Sequence, residues 1–325
     1  VANLLGNGGA FAGSSEQTPI SDRFYKVLEL FLNSSNPSEA EAFRVSDDFV
    51  EVYAESGPIR SIPKSKLETL SRKLLEEISD PGKKGTFSPA KGLEILELIG
   101  RENPGAGSSQ QTSDVSLTLV DTSTSASSPR VGFSIKSQVG QPSTLLNASK
   151  ATNFVFQLRG VNKFVEPGRF EELKKLKLGD RLEALANMGI ELVFERVDSP
   201  KFERNLKFVD SQLSEYLAKM LITYYSSDAN DFNEVFTETS VQFEDKDHAM
   251  FKVRQFLGAV AMGLRPTNEW NGDVNSFRGL ILAKTDGQVL IYYLYNLSDF
   301  QDYLFQEVKF ETPSTTRHGF GQIFY

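Results

Sequence analysis

Ser113-Asp114-Val115-Ser116-Leu117-Thr118-Leu119-Val120 and then Val131-Gly132-Phe133-Ser134-Ile135-Lys136-Ser137-Gln138 are the two runs whose reading decides the fold. Apolar and polar residues alternate in both, as expected of half-buried strands. A short polar connection, Asp121 to Pro129, joins them, so they are expected to pair as a hairpin. In the second strand Phe133 and Ile135 face one way and Ser134, Lys136 and Gln138 the other. Asp114 opens the first strand. The pairing therefore sets one carboxylate and one lysine on neighbouring strands.

Working outward, Pro63 to Ile78 reads as an amphipathic helix with Leu67, Leu70, Leu74, Leu75 and Ile78 on its apolar stripe. A shorter helix through Leu93–Ile99 is apolar nearly all round and is expected to be buried. It carries Glu94 and Glu97 three apart on one face, which either reaches solvent at the helix edge or, being buried, needs a partner or a cation. Upstream, residues 1–20 are rich in Gly, Ser and Asn and are expected to form a flexible lead. Gly6-Asn7-Gly8-Gly9 has no Lys-Ser/Thr after it and reads as linker, not phosphate loop. Phe24, Val27, Leu28 and Phe31 have helical spacing, which predicts a helix over Asp22 to Leu32. Downstream, strands are expected at Phe154–Leu158 and Ile190–Val197, helices at Phe170–Met188 and Phe208–Tyr225, and one apolar helix or two over Phe251–Leu264. Thr285-Asp286-Gly287 predicts a hairpin between Gly279–Ala283 and Gln288–Tyr295. The division this suggests is an N-terminal region, 1–62, partly flexible, and a body, 63–325, that could be one continuous domain.

Composition excludes several chemistries. The 325 residues contain no cysteine, so disulfides, thiolate metal sites and a Cys nucleophile are ruled out. Two histidines, His248 and His318, cannot build a His-rich zinc site. No apolar run is long enough to span a bilayer, and the start lacks a charged lead, so a cytoplasmic, membrane-free protein is expected. The net charge of −8 argues against a protein that coats nucleic acid. Yet residues 122–165 hold no acid and carry Arg130, Lys136, Lys150, Arg159 and Lys163, a local +5 against −13 elsewhere. A surface facing phosphates would have this asymmetry, as would a chance run of Ser/Thr-rich loop.

Phosphodiester hydrolysis needs a divalent cation, an activated water and stabilisation of charge on phosphorus. A carboxylate holds the cation, and a nearby lysine orients the water. Asp114 with Ser134-Ile135-Lys136 on the adjacent strand resembles the PD-(D/E)xK nuclease arrangement, with Ser134 where the second acid usually stands. Glu94 or Glu97 could supply the missing carboxylate; a solvated hairpin face is the competing reading.

The block Gly132–Gln138 with Pro142–Phe154 resembles the HpaII-type restriction endonucleases. So do Gly263-Leu264-Arg265-Pro266, Trp270-Asn271-Gly272, Lys284-Thr285-Asp286-Gly287 and Pro313–Gly321. The likeness spans roughly 110–325. It implies an α/β protein with a PD-(D/E)xK core, a mixed central sheet flanked by helices, and additional helical and β elements. It implies a bacterial, Mg²⁺-dependent type II endonuclease that cuts both strands of a short palindrome and leaves 5′-phosphate and 3′-hydroxyl ends; the family's namesake reads CCGG. On this resemblance Asp114 binds metal and Lys136 positions or activates water. Ser134 and Gln138 flank Lys136, and the Ile135 backbone carbonyl faces the metal. Ser143, Asn147, Lys150 and Asn153 are the first candidates for DNA contact. Arg265, Arg317 and His318 follow, the last two with tying down the tail as their alternative. Trp270 and Tyr292-Tyr293-Leu294-Tyr295 are assigned to the core and His248 to solvent. The implied partners are double-stranded DNA, a second copy during cleavage and a matching methyltransferase in the host. Two rivals stand beside this reading: a noncatalytic DNA-binding protein on the same fold, and a repair nuclease that reads DNA structure.

Overall fold

The computed structural model describes residues 1–32, 41–80, 88–102, 113–138, 148–160, 167–272, 277–294, 297–311 and 321. The chain begins with α1 (Ala2–Asn7), β1 (Gly9–Gly13), β2 (Pro19–Phe31), β3 (Ala42–Val45), β4 (Phe49–Ala54) and β5 (Gly57–Pro63). Next come α2 (Lys64–Ile78), α3 (Ala90–Ile99), β6 (Val115–Asp121), β7 (Ala126–Ser127), β8 (Val131–Ser137) and β9 (Phe154–Arg159). Then follow α4 (Pro167–Leu173), α5 (Leu178–Asn187), β10 (Glu191–Val197), α6 (Pro200–Val209), α7 (Leu213–Ser226), α8 (Phe232–Thr239) and α9 (Lys246–Ala261). The last are β11 (Phe277–Ala283), β12 (Val289–Tyr293) and α10 (Leu297–Glu307). Two compact units result: Val1–Gln141 with Val274–Tyr303, and Pro142–Asp273 with Leu304–Tyr325. The acid-free segment is divided between them.

The first unit is a mixed sheet with the strand order β5-β4-β3-β2-β1-β12-β11-β8-β6-β7. Its pairs are antiparallel except β1 with β12 and β8 with β11. Because β2 also pairs with β6, the strands β2, β1, β12, β11, β8 and β6 close into a circuit. Tyr25, Val27, Leu117, Leu119, Phe133, Ile281, Ile291 and Tyr293 share one core with Leu4 and Leu5 of α1, Leu67 and Leu70 of α2, and Ile95 and Ile99 of α3. Each such side chain contributes about 1.5–3 kcal/mol on full burial. Phe133 is fully buried, with the Tyr293 ring 5.7 Å away. Gly279 lets it in: a Cβ there would stand 2.7 Å from the Phe133 ring.

The first hundred residues correct three expectations. Residues 1–20 do not form a flexible lead: they make α1, a central strand and the start of β2. Their glycines permit close packing, since a Cβ at Gly6 would lie 2.7 Å from the Glu68 backbone nitrogen. Asp22 to Leu32 is strand, not helix. Its buried residues are Tyr25, Val27 and Leu30, because the register against β6 shifts between Val27 and Glu29. That bulge adds one residue to the alternation, and of the four residues at helical spacing only Val27 is buried. α3 is half exposed, with Leu93 at 57 % and both Glu94 and Glu97 facing out.

The second unit holds the β9–β10 ribbon and helices α4 to α9. Two helices expected to be continuous are broken. Between α4 and α5 the buried Arg181 guanidinium donates to the carbonyls of Leu173 (2.9 Å), Lys174 (3.0 Å) and Leu176 (3.0 Å). Between α6 and α7 the Asp210 carboxylate accepts the Gln212 backbone N–H at 2.8 Å, a local turn that competes with helix. Among the described residues no helix is long and apolar enough to cross a membrane.

Candidate functional site

The hairpin predicted around Asp114 and Lys136 forms, with Val115 opposite Phe133. The Asp114 backbone N–H donates to the Phe133 carbonyl at 2.9 Å. One residue beyond the last strand pair, the Asp114 side chain takes over the ladder: its Oδ2 accepts the Ile135 backbone N–H at 2.7 Å. A strand residue presents its N–H and C=O on the same edge. The Ile135 carbonyl therefore faces the edge where β6 has ended and the Asp114 carboxylate sits. On its other edge β8 runs parallel to β11, with Ser134, Ile135 and Lys136 beside Leu280, Ile281 and Leu282.

Val115 and Phe133 point into the core, so alternation puts Asp114, Ser134 and Lys136 on the outer face together. Lys136 is half-buried and makes no hydrogen bond or ion pair with any described residue. Gln138 is engaged: its backbone N–H donates to the Ala283 carbonyl at 2.9 Å, and its Nε2 donates to Gln17 Oε1. Gln17 has φ +58°, and its own carbonyl accepts from Lys284 Nζ at 3.1 Å. Sequence reasoning missed Gln17, whose partner is 121 residues away.

The donor set suits a hard cation. It comprises a carboxylate on an unpaired strand edge and, on that edge, a backbone carbonyl. Mg²⁺ takes oxygen ligands, keeps several waters and commonly needs only one or two carboxylates beside the substrate phosphates. Among the described residues no group of three or more His, Cys, Asp or Glu stands ready to hold a metal. Glu94 is ion-paired with Lys91 at 2.6 Å, and that hydrogen bond holds its carboxyl below the ordinary range. The Glu97 side chain is exposed, and its backbone carbonyl accepts from Arg60 at 3.1 Å.

Of the candidate DNA contacts, Lys150 is exposed on a single 3-10 turn capped by Ser149 and Thr152. Asn153 follows it, with its carbonyl accepting from the Asp198 N–H at 2.8 Å. Arg265 is exposed, though its Nη1 closes the end of α9 through the carbonyls of Val260 (2.9 Å) and Leu264 (3.0 Å). Ser143, Asn147, Arg317 and His318 lie outside the described residues. In the Pro313–Gly321 block the described Gly321 gives its carbonyl to Arg181. His248 is not simply solvated: its Nδ1 lies 3.0 Å from the Tyr216 hydroxyl.

Asn205 is the residue the sequence concealed. It is fully buried and holds the loop after α9. Its Nδ2 donates to the carbonyls of Arg265 (3.0 Å) and Asn268 (2.7 Å), and its Oδ1 accepts the Trp270 N–H at 2.9 Å. Trp270 is partly buried: its backbone is fixed by Asn205, and its indole Nε1 is shielded from solvent without a hydrogen-bond partner among the described residues.

A family model described as HpaII restriction endonuclease matches residues 1–325. The Type II restriction enzyme HpaII of Haemophilus parainfluenzae is 35 % identical over 273 residues, covering 81 % of this chain and 74 % of that protein. No solved structure matches.

Proposed function

The chain belongs to the HpaII restriction endonuclease family, and on that premise we propose that it is a site-specific deoxyribonuclease acting on both strands of duplex DNA at Asp114 and Lys136. One observation carries the assignment of the site: the Asp114 carboxylate, bonded at 2.7 Å to the Ile135 N–H, shares an outward face with an otherwise unengaged lysine.

Asp114 Oδ1 and the Ile135 carbonyl would hold Mg²⁺, leaving Oδ2 on the Ile135 N–H. When bound, the ion supplies Lewis acidity that lowers the pKa of water and offsets charge at the scissile phosphate. The Ile135 hydrogen bond fixes the carboxylate in place, so no reorganisation is needed as charge develops. Lys136 Nζ donates hydrogen bonds to the attacking water and to a phosphate oxygen, lining up the in-line displacement. Ser134 Oγ, on the same face, is a neutral donor where a second acid is usual in PD-(D/E)xK sites. The products are a 5′-phosphate and a 3′-hydroxyl. Lys150, Asn153 and Arg265 are the described candidates for contact with the DNA. A short palindrome, CCGG-like, favours a two-fold pair of chains during cutting. The host is protected in the cytoplasm by a methyltransferase of the same specificity.

The test is incubation of unmethylated plasmid with the protein and Mg²⁺. Discrete fragments that vanish with EDTA and with Lys136→Ala are expected. A smear or cleavage confined to branched DNA would favour a structure-reading nuclease, and no cleavage with any divalent ion would refute the proposal.

A further inference from the structure

On α6 the face carrying Phe202, Asn205 and Leu206 is buried, while Phe208 is left 55 % exposed. A lone exposed aromatic is ordinary. This one is built in. The Trp270 ring meets it edge-on at 6.1 Å, and the Arg204 guanidinium lies 5.3 Å from its centroid. Arg204 Nη1 donates to the Trp270 carbonyl at 2.8 Å, and Asn205 ties the same loop down through three further hydrogen bonds. A buried asparagine and an arginine are thus committed to fixing an aromatic pair at the surface. Beside them Pro200, Glu203, Arg204, Lys207 and Phe208 line a shallow concavity of about 370 Å³. Lys201, Arg204, Lys207 and the exposed Arg265 outnumber Glu203, Asp210 and Glu269 across α6, its C-cap and the loop after α9, in a chain of net charge −8.

We infer that this surface is a second DNA contact, outside the cut site, in which Lys207 meets a backbone phosphate and Phe208 lies against a sugar or an unstacked base. The chemistry is that of a stacking platform with flanking cations. Rigidity counts in its favour, because a ring already held costs little entropy when it binds. Glu203, paired with Lys207 at 2.7 Å, exchanges that contact for water when phosphate takes its place. The inference rests on the endonuclease reading for its ligand but not on Asp114 or Lys136.

The experiment measures binding of a fluorescent duplex by anisotropy in EDTA, across a salt series, for wild type, Phe208→Ala and Lys207→Gln. Phe208→Ala should weaken binding roughly tenfold with the salt slope unchanged. Lys207→Gln should weaken it and reduce the slope of log K against log salt by about 1. Thermal melting and size exclusion run alongside, and both variants should match wild type. Wild-type affinity and slope in both variants would overturn the inference while leaving the endonuclease reading intact. So would a change of oligomeric state in Phe208→Ala with DNA affinity unchanged, which marks a subunit contact. If wild type binds no DNA, the endonuclease reading itself falls.

Discussion

Replacing Asn205 with leucine removes the anchor of the loop that carries Arg265 and Trp270. The two side chains share a branched outline, though leucine is the larger, so the change removes the polar contacts and adds some overpacking. Three backbone groups lose partners at 2.7–3.0 Å: the carbonyls of Arg265 and Asn268 and the N–H of Trp270. Arg265 and Asn268 are exposed and can recover water, so their net cost is about 1 kcal/mol each. The half-buried Trp270 N–H recovers less and adds about 1–2 kcal/mol. The sum is about 3–4 kcal/mol, to which overpacking by the larger leucine can only add. For a unit of this size that lowers the melting temperature by about 6–16 °C. The assay is direct because Trp270 is the single tryptophan, so emission during heating reports the loop itself. Asn205→Asp, which keeps the acceptor for the Trp270 N–H but loses both donors, should also destabilise the loop. A melting point for Asn205→Leu within 1 °C of wild type, with unchanged emission, would refute the anchoring role.

Asp114→Asn keeps an oxygen for the Ile135 N–H, so stability should change by less than about 0.5 kcal/mol while cleavage falls at least about 10²-fold. A stability loss that matched the activity loss, read by urea titration beside single-turnover cutting, would make Asp114 merely structural. In the β11–β12 turn the Gln288 backbone N–H holds the Asp286 carboxyl below its usual range, with Lys284 3.2 Å away. A lowered folded pKa means stabilisation that is full above the unfolded value and lost as pH falls through the folded one. Asp286→Ala should therefore cost under about 1 kcal/mol at pH 7, discounted because the side chain is largely exposed. Denaturant titrations of the two proteins should converge below about pH 4.

The legible elements were those whose residues answer to neighbours a few positions away. Alternation at Val131–Gln138, the Thr285-Asp286-Gly287 turn and the leucine stripe of α2 all depend on local periodicity, and each appears where expected. The misread elements depend on distant partners. β2 carries apolar residues at helical spacing, and the strand's true buried face is set by pairing with β6, some ninety residues on. The glycine-rich start looked loose because nothing nearby shows that Gly6 must touch Glu68. The site divides the same way. Asp114 and Lys136 belong to one hairpin and could be paired by eye. Gln17, Arg181 and Asn205 act through Gln138, the α4–α5 carbonyls and the loop after α9, and no spacing in the sequence announces them.

The most direct test of the proposed site is to digest unmethylated plasmid with Mg²⁺ using wild type and Lys136→Ala, to measure duplex binding by both in EDTA, and to sequence the cut ends. The account predicts that wild type leaves 5′-phosphates at one repeated palindrome, whereas Lys136→Ala still binds the same duplex specifically, at most about tenfold more weakly for the lost phosphate contact, and does not cut it. Cutting by Lys136→Ala at the wild-type rate would contradict it.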